Sequence, residues 1–203
     1  MSFSELNIDI FRAINDLGKE YTMFNPVVHF LAEYMIYVLA LGLLVYWFTR
    51  TTKNRLMVIY AVISFVIARV LGKIAGSLYS NYQPFAELPH VNKLIEHEID
   101  NSFPSDHTIL FFSIGFLIFL FHKKTGWLWL VLALAVGISR IWAGVHYPFD
   151  VAAGALLGML TALFVFWTAP KLSFINKLLA FYEKGEQRIL PSKHKSDDKS
   201  KNF

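Results

Sequence analysis

Between residues 27 and 48 the chain carries a single charged side chain, Glu33, in an otherwise almost wholly uncharged, apolar run. About 20 such residues carry a helix across the hydrocarbon layer of a bilayer, where every backbone polar group must be satisfied within the segment itself. The run therefore reads as an α-helical membrane span. Further apolar runs follow at residues 56–79, 108–121, 127–143 and 150–168. The expected fold is all-α and integral to the membrane, a helical bundle with about five transmembrane helices. Composition agrees. Only 17% of the 203 residues are charged, against about 25% in soluble domains, and the mean hydropathy is +0.45. There is no cysteine, which excludes a disulfide framework and a thiolate metal site.

The two ends differ from the middle. Phe3, Leu6, Ile10, Ile14 and Leu17 recur at three- and four-residue steps, with Glu5, Asp9, Arg12 and Asp16 between them. That spacing predicts an amphipathic helix, too polar to span, lying on the membrane surface or against the bundle. The same stretch lacks the basic start and apolar core of a cleavable signal peptide. Asn25-Pro26 marks a break. The organisation expected is thus an N-terminal amphipathic helix at 1–26, a transmembrane domain at 27–170, and a basic cytoplasmic tail at 171–203. Lys171, Lys177, Lys184, Arg188, Lys193, Lys195, Lys199 and Lys201 give the tail its charge. In a membrane protein such charge anchors a cytoplasmic surface and does not call for nucleic acid. Disorder is expected after about residue 190.

Charge also sets the topology. The turns at 50–55 and 122–124 and the tail are basic, whereas the N-terminal segment and the loop at 80–103 are acidic on balance. Five spans satisfy the positive-inside bias with the N-terminus outside and the C-terminus in the cytoplasm. The long loop, Ser105 to His107, Arg140 and His146 to Asp150 then share the extracytoplasmic face.

The chemistry concentrates there. The stretch SRIWAGVHYPFD puts Ser139, Arg140, His146 and Asp150 within twelve positions. A histidine oriented by a carboxylate suits nucleophilic or acid–base work, and an arginine beside them suits phosphate oxygens. Upstream, PSDH runs from Pro104 to His107 at the start of the third apolar run. Proline favours the first turn of a helix, whose free N–H groups bind anions. Arg69 and Lys73 lie one turn apart near the far end of the second run. Charges in a span face a cavity or partner, or snorkel to the interface. Glu33 is read as structural. Asp106, a carboxylate beside an anion site, is expected to pair with Arg140 or Lys73, or to cap the third span. No carboxylate cluster suits a divalent ion well, although Asp100, Asp106 and the loop glutamates leave a weak site open.

PSDH and SRIWAGVHYPFD together resemble the second and third signature motifs of the type 2 phosphatidic acid phosphatase superfamily. The third motif is matched at Ser139, Arg140, His146 and Asp150. The second is matched at Pro104, Ser105 and His107, with Asp106 where most members have glycine. The first motif, a lysine followed by an Arg-Pro pair, is degenerate: Lys73 is the lysine in place, and Asn81 or Gln83 stands where the arginine is expected. Within the superfamily, the aspartate in PSDH and the five-span layout look most like bacterial undecaprenyl pyrophosphate phosphatases of the bacitracin-resistance type. The resemblance covers residues 55–165.

That resemblance implies phosphoryl transfer from a polyprenyl diphosphate through a phosphohistidine. It assigns the nucleophile to His146, its orientation to Asp150, and the acid–base role to His107. It assigns the phosphate contacts to Arg140, Ser105, Ser139 and Lys73, with Gln83 and Asn81 at the degenerate motif. It implies no metal or other cofactor, a lipid substrate held by a protein embedded in membrane lipids, and a product that serves cell-wall synthesis. It implies too that removal of the diphosphate, the form bacitracin binds, protects the cell. Two other readings stay open: a broader lipid phosphatase acting on phosphatidic acid, phosphatidylglycerol phosphate or diacylglycerol pyrophosphate, and a transporter or scaffold that kept the fold without catalysis.

Overall fold

A computed structural model describes residues 2–189, and those residues fold entirely as helices and connecting loops. In chain order the helices are α1 (Phe3–Asn15), α2 (Leu17–Glu20), α3 (Asn25–Glu33), α4 (Met35–Phe48), α5 (Thr52–Leu78), α6 (Pro84–Glu87), α7 (Asp106–Phe121), α8 (Lys123–Trp142), α9 (Pro148–Thr168) and α10 (Ser173–Ile189). Single 3-10 turns stand at Thr22–Phe24 and Ala169–Lys171. By length and composition α5, α8 and α9 can each cross a membrane, the last continuing to Lys171. The segments Thr22–Glu33 and Met35–Phe48 pass the same test only as a bent pair, and α7 is a shorter apolar helix.

The helix α7 is central. It packs against α5, α8 and α9, and it buries Ile109, Phe111, Ile114, Leu117 and Ile118. Its 16 residues reach about 24 Å, less than the ~30 Å hydrocarbon layer. Its first turn is therefore sunk below the end of the longer helices, and Ser105 is fully buried. Close packing with α9 depends on two glycines. A Cβ on Gly154 would stand 2.8 Å from the Ser105 carbonyl oxygen, and one on Gly158 would stand 2.8 Å from the Ser113 nitrogen. Small residues are the general means by which membrane helices bring their backbones together.

The first apolar run reads as one span. It is bent by 50° between Glu33 and Met35. The cause lies in another helix. Arg140 donates from Nη1 to the Ala32 carbonyl at 2.9 Å, the oxygen that a continuous helix would give to the Ile36 N–H. A side chain inserted into the helical ladder is a general cause of kinks.

The helix α1 begins with a capping box between Ser2 and Glu5. It packs on α8 and α9 and buries Phe11 and Asn15. Asn15 ties three segments together: its amide donates to the Asn92 and Trp142 carbonyls, and its oxygen accepts from the Asn92 N–H.

At the opposite end of the bundle, residues expected as part of a basic tail form α10. Glu183 and Glu186 pair with Arg55, which is only 1% exposed, and Glu186 also pairs with Arg50. The Arg55 and Arg50 guanidiniums hold the Glu186 carboxyl below its ordinary range. Sequence reading missed this helix because its mean polarity hides an apolar stripe, of which Ile175 and Leu179 are buried. The disorder expected after residue 190 lies outside the described residues.

Candidate active site

Three chain segments meet at the end of the bundle where α8 ends and α7 and α9 begin. Helix α8 delivers Ser139 and Arg140 in its last turn. The tight turn to α9 holds His146, and its Gly144 has φ +80°, a backbone region that side chains disfavour. Asp150 lies in the first turn of α9, where the helix dipole favours a carboxylate. The loop before α7 lies across this turn, and the Ser105 N–H donates to the Asp150 carbonyl at 3.1 Å.

His146 and Asp150 are 5% and 1% exposed. Their direct contact is long, with Nδ1 3.6 Å from Oδ2. A third residue fills the gap. Ser102 Oγ donates to Asp150 Oδ2 at 2.6 Å and lies 3.1 Å from His146 Nδ1. A hydroxyl has one proton. If the carboxylate takes it, the hydroxyl accepts from Nδ1–H, and the lone pair of the imidazole is left on Nε2. The Tyr147 N–H also donates to Asp150 Oδ2, at 2.8 Å. Burial lowers the His146 pKa below its ordinary 6.5, with the Asp150 contact opposing and the Arg140 charge assisting. The turn is fastened from outside by Tyr147, whose hydroxyl donates to Glu87 at 2.9 Å. Burial and that bond push the phenol pKa up.

Arg140 is 1% exposed. Its Nη1 is bonded to Ala32, but its Nε finds no hydrogen-bond partner, and neither does Asp150 Oδ1. Buried polar atoms are seldom left unpaired, and an unpaired guanidinium N–H suits an anion. His107 stands in the first turn of α7, half-buried, within electrostatic reach of Arg140, His146, His97 and Arg69. The His97 ring meets the His146 ring edge-on at 6.2 Å. The Ser105 hydroxyl accepts from Thr108 Oγ1 at 3.0 Å, which leaves its own proton to donate.

The remaining expected residues are engaged elsewhere. Ser139 donates to its own helix at the Val136 carbonyl and lines an apolar pocket with Phe24, Val27 and Trp142. Gln83 is fully buried and bonded to Asp100 through both ends of its amide, so it braces the long loop. Asn81 joins the same loop, its N–H donating to Asn101. Lys73 is exposed and lines a different cavity, of about 310 Å³, with Arg69, Ser77 and Asn101. Asp106 pairs with neither Arg140 nor Lys73. Its partner is Arg69, one helical turn before Lys73 on α5. Its position as the first residue of α7 explains this, because Asp106 faces α5 while Arg140 is buried toward α3.

Ser102 was not anticipated. It lies in a loop without periodicity, and its only sequence signal is a small hydroxyl residue three positions before Ser105. Among the described residues no group of three or more His, Asp or Glu side chains is placed to hold a metal ion.

Comparison with known proteins sets this geometry in a family. The chain is 85% identical over 203 residues, all of both sequences, to a Bacillus licheniformis protein described as bacitracin transport permease protein BcrC. It is 32% identical over 179 residues, 88% of this chain and 92% of the other, to undecaprenyl-diphosphatase BcrC of Bacillus subtilis strain 168. The crystal structure of Aquifex aeolicus LpxE is similar at 27% identity with a TM-score of 0.61, over 79% of this chain and 94% of that one. The family model of the PAP2 superfamily matches residues 58–174, a stretch that contains both motifs and the buried His146–Asp150 turn, and the chain belongs to that superfamily.

Proposed function

We propose that this protein is an undecaprenyl-diphosphate phosphatase, releasing phosphate from the lipid carrier of cell-wall synthesis and so conferring bacitracin resistance. The observation that carries the reading is the buried His146–Ser102–Asp150 chain beside the unpaired Nε of Arg140. Such a constellation argues for catalysis over transport alone. The name of the 85% identical relative denotes a permease, whereas that of the Bacillus subtilis relative denotes the diphosphatase. Permeation of bacitracin has no need of a histidine fixed in one tautomer.

In the proposed mechanism Nε2 of His146 attacks the terminal phosphorus and forms a phosphohistidine. The bond from phosphorus to the bridging oxygen breaks, and the undecaprenyl phosphate leaves. Ser102 and Asp150 hold the proton on Nδ1 and stabilise the positive charge that grows on the ring. Arg140, the Ser105 hydroxyl and the free N–H groups at the start of α7 hold the phosphate oxygens and stabilise the transition-state charge. His107 protonates the leaving oxygen and then takes a proton from the water that cleaves the phosphohistidine. Fixed protein charges do what metal ions do in other phosphatases.

The lipid location follows. Five spans are proposed: α3 with α4 as one bent span, then α5, α7, α8 and α9. The charge bias supports the active site on the extracytoplasmic face, with α10 and the C-terminus in the cytoplasm and α1 at the outer interface. The polyprenyl tail stays among membrane lipids while its head group reaches the site, and no nucleic acid is involved. Phosphate release from undecaprenyl diphosphate by detergent-purified protein, with chelator present, tests the reading. Release by wild type that vanishes in His146→Ala is expected. Turnover of phosphatidic acid without turnover of the diphosphate would move the assignment to a broader lipid phosphatase, and no turnover of any lipid phosphate would favour a transporter.

A further inference from the structure

The site around His146 and Arg140 accounts for one phosphate group. A diphosphate has two, and the second carries the negative charge of the leaving group. Arg69 and Asp106 share a cavity with His107. A cavity of about 290 Å³ is lined by Ile36, Phe65, Arg69, Asp106, His107 and Leu110. Ile36, Phe65 and Leu110 give it mainly apolar walls, with the Arg69–Asp106 pair and His107 as its polar part, which fits the junction of a prenyl chain and a phosphate.

His107 lies within electrostatic reach of Arg140 and His146 and also of Arg69. The group that protonates a bridging oxygen must sit between the phosphorus under attack and the phosphate that leaves. We infer that Arg69 is the binding residue for the phosphate that the lipid retains, and that Asp106 positions it. This rests on the diphosphatase reading above.

The ion pair explains two departures from the family pattern at once. Gln83, where the first motif expects an arginine, is committed to Asp100 and brings no charge. Arg69 supplies a cation from α5 instead. Asp106, where most members have glycine, engages Nη1 of Arg69. That contact orients the guanidinium and leaves its other N–H groups for phosphate oxygens. The chemistry balances without a further reagent. The phosphorus–oxygen electron pair stays on the bridging oxygen, the proton comes from His107, and the retained phosphate departs as the monoester anion against Arg69.

The experiment compares wild type, Arg69→Gln, Arg69→Lys and Asp106→Asn. For each, the KM for undecaprenyl diphosphate is measured, with inhibition constants for undecaprenyl phosphate and for inorganic phosphate. Loss of a charge-assisted contact to phosphate corresponds to about tenfold or more in binding. Arg69→Gln is expected to raise the KM and the undecaprenyl phosphate constant by about that factor and to leave the inorganic phosphate constant within about twofold. Arg69→Lys recovers part of the loss, and Asp106→Asn shows a smaller shift in the same two constants. If all three constants rise together, or none moves, the inference is overturned. Should Arg69→Gln fail to fold, Arg69→Lys and Asp106→Asn decide by the same pattern. Wild type that releases no phosphate from the diphosphate removes the functional reading and this inference together, whereas an active wild type with an unselective Arg69 series removes only the inference.

Discussion

Replacing Ser102 with alanine isolates the link between His146 and Asp150. The hydroxyl makes two short contacts in a fully buried position. Without it Asp150 Oδ2 keeps only the Tyr147 N–H, and the imidazole faces a carboxylate 3.6 Å away. Hydrogen bonds to charged groups contribute about 1.5–3 kcal/mol. The contact strengthens as the ring gains charge during attack, so the loss falls on the transition state. At 1.36 kcal/mol per tenfold, kcat should drop about 10- to 100-fold. The KM should change little, because Ser102 lies on the Nδ1 side of the ring and the substrate on the Nε2 side. The assay is steady-state phosphate release, with thermal unfolding of the same preparations as a control for folding. An unchanged kcat, or a loss confined to KM, would refute the tautomer argument.

Two further outcomes follow from the packing and the charges. Gly154→Ala places a Cβ against the Ser105 carbonyl; overpacking of this kind costs about 1–3 kcal/mol, so both Tm and kcat should fall, whereas Ala153→Gly, one position away on the same helix, should leave kcat nearly unchanged. The nucleophile proposed here, His146, must be neutral, and burial lowers its pKa below 6.5. Neutral His146 therefore persists to lower pH than free histidine, and the acidic limb of the kcat/KM profile that reports it should lie below pH 6.5; a limb above that value would contradict the burial argument.

The sequence made the apolar helices legible because a bilayer leaves the backbone few choices, and the runs at 56–79, 127–143 and 150–168 correspond closely to α5, α8 and α9. Residues brought together by α-helical and turn geometry were legible as well: Arg140, His146 and Asp150 lie within one twelve-residue stretch. What sequence could not carry were contacts across the chain. The bend before Met35 arises from Arg140, 108 positions away from Ala32. Ser102 reaches Asp150 across 48 positions. The sequence points Asp106 to Arg140 or Lys73, and its partner is Arg69, because the direction of a helix's first residue depends on how α7 is seated against α5. Gln83 looked like a weakened ligand, and its burial against Asp100 gives it a bracing role that a motif alignment does not reveal.

The central claim is a covalent phosphohistidine on His146, formed before water enters. It is tested most directly by rapid acid-free quenching of His107→Ala with undecaprenyl diphosphate labelled in the terminal phosphate. His107 serves both steps, but a phosphate monoester leaves more readily than unactivated water attacks, so label should accumulate on the protein, be lost in acid and survive in base, map to the peptide containing His146, and be absent from His146→Ala. Label that persists in His146→Ala, or turnover by wild type with no labelled protein under any quench, would contradict the account.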